Sequence, residues 1–475
     1  MAFINELLDT HKYSEVKKLL KCAGDVGDQL SQEVYAVGGL LRDLLMNKNV
    51  NDIDIMTVGD GIVFAKKLAE KIGIKKVVPF PKFGTALIPG APLQIEVATA
   101  RNEKYDSNSR KPSEIVYTNL DGDLSRRDFT INSMAMDIRV KSFGQFFDPY
   151  NGVADLQRKC IRTPLDPDET FSDDPLRMMR AAYFSSKLGF RIESDCLNSM
   201  KRQSKRIKIV SAERIREEFI KILQTPKPSL GLRILQKTGL MKVVFPEIHI
   251  MYGMDQTAEW HHKDIFAHTL QVVDNAAMLS GKMELRFAAL VHDIAKPQTR
   301  RIDDKKGYTF YGHDVVGERM ITNVASRMRL SKKTADYLKK MTLLHLRPIA
   351  LVKSEVTDSA VRRLMVAAGD DLDDLMLLCR ADITTKNPNR VRQYLSNFER
   401  VEKKMENVIE KDSLKGFQSP IRGEDIMDIC GIKEGPQVGR IKKSIEDAIL
   451  DGEIENNYQS AKSLLNKIKN NFKLS

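Results

Sequence analysis

Residues 35–43 read YAVGGLLRD, and residues 51–55 read NDIDI. The first stretch is a short β-prone run, two glycines and the opening of a helix, a turn in which Gly38 and Gly39 let backbone N–H groups come close to a phosphate beside Arg42. In the second, strand alternation sends Asp52 and Asp54 to one side and Ile53 and Ile55 to the other. Two carboxylates held that close repel unless a cation lies between them. Oxygen ligands of this kind suit Mg²⁺, which keeps its remaining positions for water and phosphate oxygens.

Working outward, runs 34–37, 53–56, 86–88 and 94–98 read as strands and 61–72 as a helix, giving a mixed α/β domain. Residues 1–30 read as one amphipathic helix that ends at a Gly24/Gly27 break. Beyond about residue 156 helical periodicity dominates, including 174–188, 211–223 and 230–238. The resulting expectation is an α+β chain: a head over 1–155, a helical neck over 156–245, a further helical domain over 246–388 and a helical tail over 389–475. With 475 residues, 42% hydrophobic and 29% charged, there is material for several cores and little reason for disorder. No apolar run reaches the roughly 18 residues of a membrane span, and Glu6, Asp9 and Glu15 speak against a signal peptide, so a cytoplasmic protein is expected. Cys22, Cys160, Cys196, Cys379 and Cys430 stand far apart without a CxxC pair, which argues against a disulfide framework or a cysteine-built zinc site.

The net charge of +12 suits a polyanionic partner, and its distribution is uneven. Residues 197–245 carry twelve Lys/Arg against three Glu, with Lys201, Arg202, Lys205, Arg206 and Lys208 nearly consecutive, an expected RNA-binding segment. Ahead of it, residues 125–132 (SRRDFTIN) set Arg126 and Arg127 beside Asp128 and Asn132, a combination fitted to triphosphate oxygens and ribose hydroxyls. Residues 173–177 (DDPLR) begin the 174–188 helix, where Asp174 and Arg177, three apart, fall on one face as an acceptor and a forked donor for a base edge. Glu96, in QIEVATAR, reads either as a third carboxylate near the metal or as a strand residue facing solvent.

GGLLRD with NDIDI, RRDFTINSMA, DDPLRMMRA and SAERIREEF, in that order over residues 34–219, resembles the class II nucleotidyltransferases, the tRNA CCA-adding enzymes and bacterial poly(A) polymerases. The resemblance implies a polymerase-β-like head in which Asp52 and Asp54 bind catalytic metals and Gly38, Gly39 and Arg42 lie near the triphosphate. It implies further that Arg126, Arg127, Asp128 and Asn132 hold the incoming nucleotide, while Asp174 and Arg177 act as a protein template for CTP or ATP. The family's template motif often begins Glu-Asp; here Asp173 shortens it by one methylene and leaves the base contact on Asp174.

Six of the eight histidines fall between residues 261 and 345: His261, His262, His268, His292, His313 and His345. A mixed imidazole and carboxylate set binds divalent metals and activates water. The order His268, His292-Asp293, Asp382 is similar to the H…HD…D pattern of HD-superfamily phosphohydrolases. That resemblance implies a divalent metal of unspecified identity on those four, with His313 and His345 at a second metal or a phosphate contact. It also implies phosphatase or phosphodiesterase action, for example on 2′,3′-cyclic or 2′-phosphate RNA ends. In the tail, the glycine-rich stretch 431–439 ahead of Arg440, Lys442 and Lys443 reads either as an RNA-phosphate grip or as a plain helix connector.

The expected function is therefore template-independent addition of CCA to tRNA from CTP and ATP. Alternatives are poly(A) polymerisation, addition of CC or A only, an HD phosphohydrolase with an RNA-binding head, or a non-catalytic RNA-binding protein.

Overall fold

The β-branched runs of the head form seven strands of one mixed sheet: β1 (Glu33–Val37), β2 (Asp52–Val58), β3 (Val78–Phe80), β4 (Thr85–Ile88), β5 (Gln94–Thr99), then, past a separate hairpin of β6 (Arg101–Tyr105) and β7 (Pro112–Tyr117), β8 (Ala135–Asp137) and β9 (Phe146–Phe147). The structure, a computed structural model, describes residues 2–90, 93–105, 112–255, 264–305, 307–353, 357–412 and 419–469. His261 and His262 lie outside the described residues. The chain divides into two units, Met1–His249 and Ile250–Ser475.

In the first unit the strand order is β3-β4-β5-β2-β1-β8-β9. β2 runs antiparallel to β1 and parallel to β5, with Asp54 opposite Glu96. Its parallel partner is reached through the helix Gly61–Lys71, whose N-terminus is capped by Asp60 accepting the N–H groups of Ile62 and Val63. One face of β2, β4 and β5 buries Ile53, Ile55, Ile88, Ile95 and Val97 in a core shared with Leu20, Phe64 and Leu68. Side-chain alternation then leaves Asp52, Asp54, Leu87 and Glu96 on the opposite face, half-buried or exposed. The same alternation that builds the core thus turns the acids away from it.

Two expectations need correction. Residues 1–30 form two helices, Ala2–Leu8 and Ser14–Gln29, and the second runs straight through Gly24 and Gly27. These glycines serve close packing: a Cβ at Gly24 would sit 1.8 Å from the Ile138 carbonyl oxygen and one at Gly27 2.5 Å from Val34 Cγ2. The helix expected from residue 174 begins at Leu176 instead. Asp174 is extended (φ −133°, ψ 98°), because the ring of Pro175 disfavours helical geometry in the residue before it.

Among its described residues the second unit is helical apart from the hairpin Arg301–Asp303/Gly307–Thr309, which departs from an all-helical expectation where Gly307 takes φ +72°. Helices Ile265–Leu279, Met283–Val291, His313–Arg327, Lys332–Leu344 and Leu372–Ala381 surround its histidines. The three last helices, Gly423–Cys430, Pro436–Leu450 and Tyr458–Ile468, bury Ile426, Ile441, Ile445 and Leu465 in a core of their own. Among the described residues no helix is long and apolar enough to cross a membrane.

Candidate active sites

All eleven residues expected at the nucleotide site, Gly38, Gly39, Arg42, Asp52, Asp54, Arg126, Arg127, Asp128, Asn132, Asp174 and Arg177, line one cavity of about 480 Å³ in the first unit. Gly38 ends β1 at φ 69°, ψ −129°, a conformation glycine alone adopts readily. A Cβ there would lie 2.9 Å from Arg127 Nη1 and 3.2 Å from Asp54 Oδ2, so the bare backbone is what lets acid and guanidinium approach. The N–H of Gly39, expected to face a phosphate, is directed to the Asp54 carboxylate. Burial, reinforced by Asp52 and Glu96 and opposed by Arg127, raises the Asp54 pKa to about 6. Glu96 itself is exposed, level with Asp54 on the neighbouring strand.

Several of the expected ligands form a frame for the cavity. Asp123, fully buried, receives Arg126 at 2.5 Å and Arg127 at 2.9 Å. Burial pushes its pKa up, but Arg127 and Arg126 hold it below the usual carboxylate range. Arg126 Nε donates to the Arg101 carbonyl at 2.6 Å. Arg42 is clamped by Asp43 through two 2.9 Å bonds and donates to Asn132 Oδ1 at 2.7 Å. Asn132 passes the link on to Asp128 at 2.9 Å, and Asp128 takes Arg180 Nη2 at 2.6 Å. Against the effect of its burial, Arg180 and Asn132 keep Asp128 below its ordinary pKa. Arg42, Asp128 and Asn132 therefore line the cavity already engaged with one another and with Asp43 and Arg180.

Asp174 and Arg177 meet at the same wall, though not as neighbours on a helix face. Asp174 Oδ1 accepts the Leu176 N–H at 3.1 Å ahead of the first turn, while Oδ2 lies 3.6 Å from Arg214 Nη2. Arg177 Nη2 donates to the Arg126 carbonyl at 2.5 Å, fixing the fork. The cavity also takes in Arg180, Tyr183, Phe184, Lys187, Arg214 and Lys221, which sequence reasoning did not assign. A signal for two of them was present: Arg180 lies one turn beyond Arg177, and Arg214 sits inside SAERIREEF.

In the second unit His268, His292 and Asp382 form one triad within metal-ligand reach, and Asp293, His313 and His345 form another. Every Nδ1 is anchored to an oxygen: His268 to Thr384 Oγ1 at 3.0 Å, His292 to the Ala289 carbonyl at 2.8 Å, His313 to Phe310 at 2.7 Å and His345 to Thr342 at 2.7 Å. Anchoring of this kind turns each Nε2 lone pair inward, as metal-binding imidazoles require. His313 and His345 set their Nε2 atoms 3.3 Å apart. Asp293 faces both triads, Oδ1 lying 3.3 Å from His313 and Oδ2 3.2 Å from His292 and 2.6 Å from Lys296 Nζ. His292 Nε2 and Asp382 Oδ1 are buried without a properly formed hydrogen bond. Despite its burial, His292 is raised to about 10 by Asp293 and Asp382, whereas burial and His292 push His345 down to about 4. Inward-facing Nε2 atoms beside carboxylates, once the His292 proton is displaced, are the donor set of a divalent transition metal.

The basic segment lies outside the cavity. Arg202 pairs with Asp168 at 2.6 Å and Arg206 donates to the Ser172 carbonyl at 2.8 Å, tying their helix to Pro167–Asp173, while Lys201, Lys205 and Lys208 are exposed. In the tail Gly431 (φ 67°) ends one helix, and Arg440 and Lys443 lie exposed on the next.

A carboxylate pair on the central strand of the sheet beside a glycine turn, with a histidine and aspartate cluster in a separate helical unit, defines a nucleotidyltransferase joined to an HD domain. Family models agree along the chain: the poly A polymerase head domain matches residues 34–162, the probable RNA and SrmB-binding site of polymerase A residues 189–251, and the HD domain residues 265–386. Both the head and the HD class are metal-dependent. The multifunctional CCA protein of Vibrio vulnificus strain YJ016 is 34% identical over 363 residues, 74% of this chain and 84% of that protein. Its counterpart from Vibrio parahaemolyticus is 32% identical, covering 74% and 85%. This chain belongs to the multifunctional CCA protein family. Solved structures support the fold: a CCA-adding enzyme in apo form II gives a TM-score of 0.66 at 23% identity over 98% of both chains. The Thermotoga maritima CCA-adding enzyme complexed with tRNA gives 0.60 at 22%, again over 98% of both.

Proposed function

We propose that this chain is a CCA tRNA nucleotidyltransferase, adding C, C and A to tRNA 3′ ends from CTP and ATP without a nucleic-acid template. The observation that carries this reading is the single cavity in which Asp52 and Asp54 face a cationic wall while Asp174 and Arg177 stand beside it. Asp52 and Asp54 would hold Mg²⁺, which when bound would supply neutralising charge at the α-phosphate and acidity for the attacking 3′-hydroxyl. Arg126 and Arg127, already oriented by Asp123, bind the triphosphate and offset the charge that builds on departing pyrophosphate. Cytosine and adenine both offer an exocyclic amino donor next to a ring-nitrogen acceptor, which matches a carboxylate beside a guanidinium; uracil and guanine offer a carbonyl next to N–H and do not. Asp174 and Arg177 can thus select for both permitted bases.

In this reading residues 1–155 are the head, 156–245 the neck, 246–388 the HD domain and 389–475 a tail. Lys201, Arg202, Lys205, Arg206 and Lys208 bind the tRNA backbone, and the enzyme works in the cytoplasm. What favours CCA addition over poly(A) synthesis is the likeness to multifunctional CCA proteins along three quarters of the chain. The test is to incubate tRNA lacking its last three nucleotides with CTP and ATP, separately and together, and sequence the products. CCA formed only when both are present is the expected result; a long adenosine tail from ATP alone overturns it.

A second activity is favoured by the inward Nε2 atoms of the HD cluster. His268, His292, Asp293 and Asp382, with His313 and His345, hold divalent metal for hydrolysis of phosphate esters at RNA ends. A divalent metal held by these residues would supply the acidity that makes water a nucleophile at neutral pH. Loss of 2′,3′-cyclic phosphate hydrolysis in Asp293→Asn, with nucleotide incorporation intact, is the expected outcome; hydrolysis that persists sinks this reading.

A further inference from the structure

Asp54 and Arg127 line two cavities. One is the cationic cavity above; the other, of about 400 Å³, is lined by residues of β2, β3, β4 and β5 and shares only Asp54 and Arg127 with the first. Its floor follows from the strand register. Asp54 pairs with Glu96 and Glu96 with Leu87, which makes one row; Ala98 pairs with Thr85 and Thr85 with Phe80, which makes the next. Small side chains at Thr85 and Ala98 keep this floor low, and Phe80, 47% exposed, stands at its edge.

We propose that this second cavity receives the terminal nucleoside of the RNA acceptor, with Phe80 stacking on its base and Glu96 accepting from its ribose hydroxyls. The inference rests on the nucleotidyl-transfer reading and names where the second substrate sits. Joining a 3′-hydroxyl to an α-phosphate requires two substrates to meet at the carboxylates, and Asp54 is where the two cavities meet. Their chemistry differs accordingly. The first is crowded with guanidinium and ammonium groups suited to a triphosphate. The second offers apolar floor, an aromatic ring and the carboxylate of Glu96, with Arg127 the one cation among its described lining residues, which disfavours a phosphate chain and favours a neutral nucleoside.

The experiment measures steady-state KM for CCA-less tRNA and for CTP in the full-length wild type, Phe80→Ala and Phe80→Trp, with thermal melts to check folding. Stacking of one base on an aromatic ring corresponds to about a five- to 150-fold change in affinity. Phe80→Ala is expected to raise KM for the RNA by about tenfold or more and leave KM for CTP within about twofold, and Phe80→Trp to restore it. In parallel, an acceptor ending in 2-aminopurine riboside should be quenched on binding the nucleotide-free wild type and not on binding Phe80→Ala. A rise in KM for CTP alone, or unchanged RNA kinetics and quenching, overturns the assignment. Wild-type enzyme that incorporates neither C nor A would instead overturn the nucleotidyl-transfer reading, so the two failures are distinguishable.

Discussion

Gly38→Ala is a sharp probe of how the head holds its acids. At φ 69°, ψ −129° an alanine carries a backbone penalty of about 1–3 kcal/mol. Its Cβ would also press to 2.9 Å on Arg127 Nη1 and 3.2 Å on Asp54 Oδ2. Neither group can swing away freely, because Arg127 is tied through two nitrogens to the buried Asp123 and Asp54 sits in a strand with both neighbours paired. Relief needs a shift of about half an ångström in groups that align the reacting atoms, and misplacement by about 1 Å costs on the order of a hundredfold. We expect kcat for CMP incorporation to fall by about ten- to a hundredfold, with an accompanying stability loss of about 2 kcal/mol in the first unit. Gly39→Ala is the matched control: its Cβ approaches nothing closer than 3.4 Å, ordinary contact, and its activity should stay within about threefold. Single-turnover incorporation and chemical denaturation followed by circular dichroism measure both. A Gly38→Ala enzyme with wild-type turnover, or a Gly39→Ala enzyme equally damaged, would refute the claim that this glycine exists to admit Asp54 and Arg127.

Other consequences follow from the charges. With Asp54 raised to about 6, the metal-free head holds a proton there that the unfolded chain would release near 4, so stability falls as pH rises from about 4 to about 6. Mg²⁺ titrated by calorimetry in buffers of different ionisation heat should accordingly release about half a proton at pH 6 and none at pH 8; equal release at both would contradict the buried acid. Asp128→Ala strands Arg180 and Asn132 and should destabilise the first unit by about 3–5 kcal/mol, read by denaturation; a loss under about 1 kcal/mol would show the frame to be dispensable. Because Asp128 is depressed, the stability it contributes is present above the ordinary carboxylate range and lost as pH falls below it. In the HD cluster, His313→Ala should lower bound Ni²⁺ or Mn²⁺ per chain, measured by elemental analysis, without altering CMP incorporation, since no residue of that cluster lines the head cavity.

The strands, the orientation of the Asp pair and the membership of the cavity were legible because each rests on local pattern: period-two alternation, a Gly-Gly turn, ordered charge motifs. What escaped was long-range. Gly24 and Gly27 read as breakers because their real role, admitting Ile138 and Val34, depends on segments over 100 residues away in one case and beyond the helix end in the other. Asp174 read as part of a helix because i, i+3 spacing was weighed above the proline that follows it. Asp123 gave no signal at all: an acid inside TNLDGDLSRR looks like surface charge until the fold wraps two guanidiniums around it. Likewise the grouping of His313 and His345 around Asp293 required the ends of three helices to converge, which spacing alone does not encode.

The frame explains why so many charges tolerate one another. Eight Lys and Arg side chains line the head cavity against four aspartates, yet Asp43, Asp123 and Glu218 stand behind Arg42, the Arg126/Arg127 pair and Arg180. These outer acids set each guanidinium in a fixed direction without cancelling the excess at the cavity surface. A nucleoside triphosphate, carrying about four negative charges, therefore meets donors that need no reordering when charge migrates to the departing pyrophosphate. Asp52 and Asp54 act at the other end of the same field, where uncompensated negative charge makes a divalent cation the favoured neighbour. The Asp174 carboxylate is oriented separately, by the Leu176 amide and by Arg214.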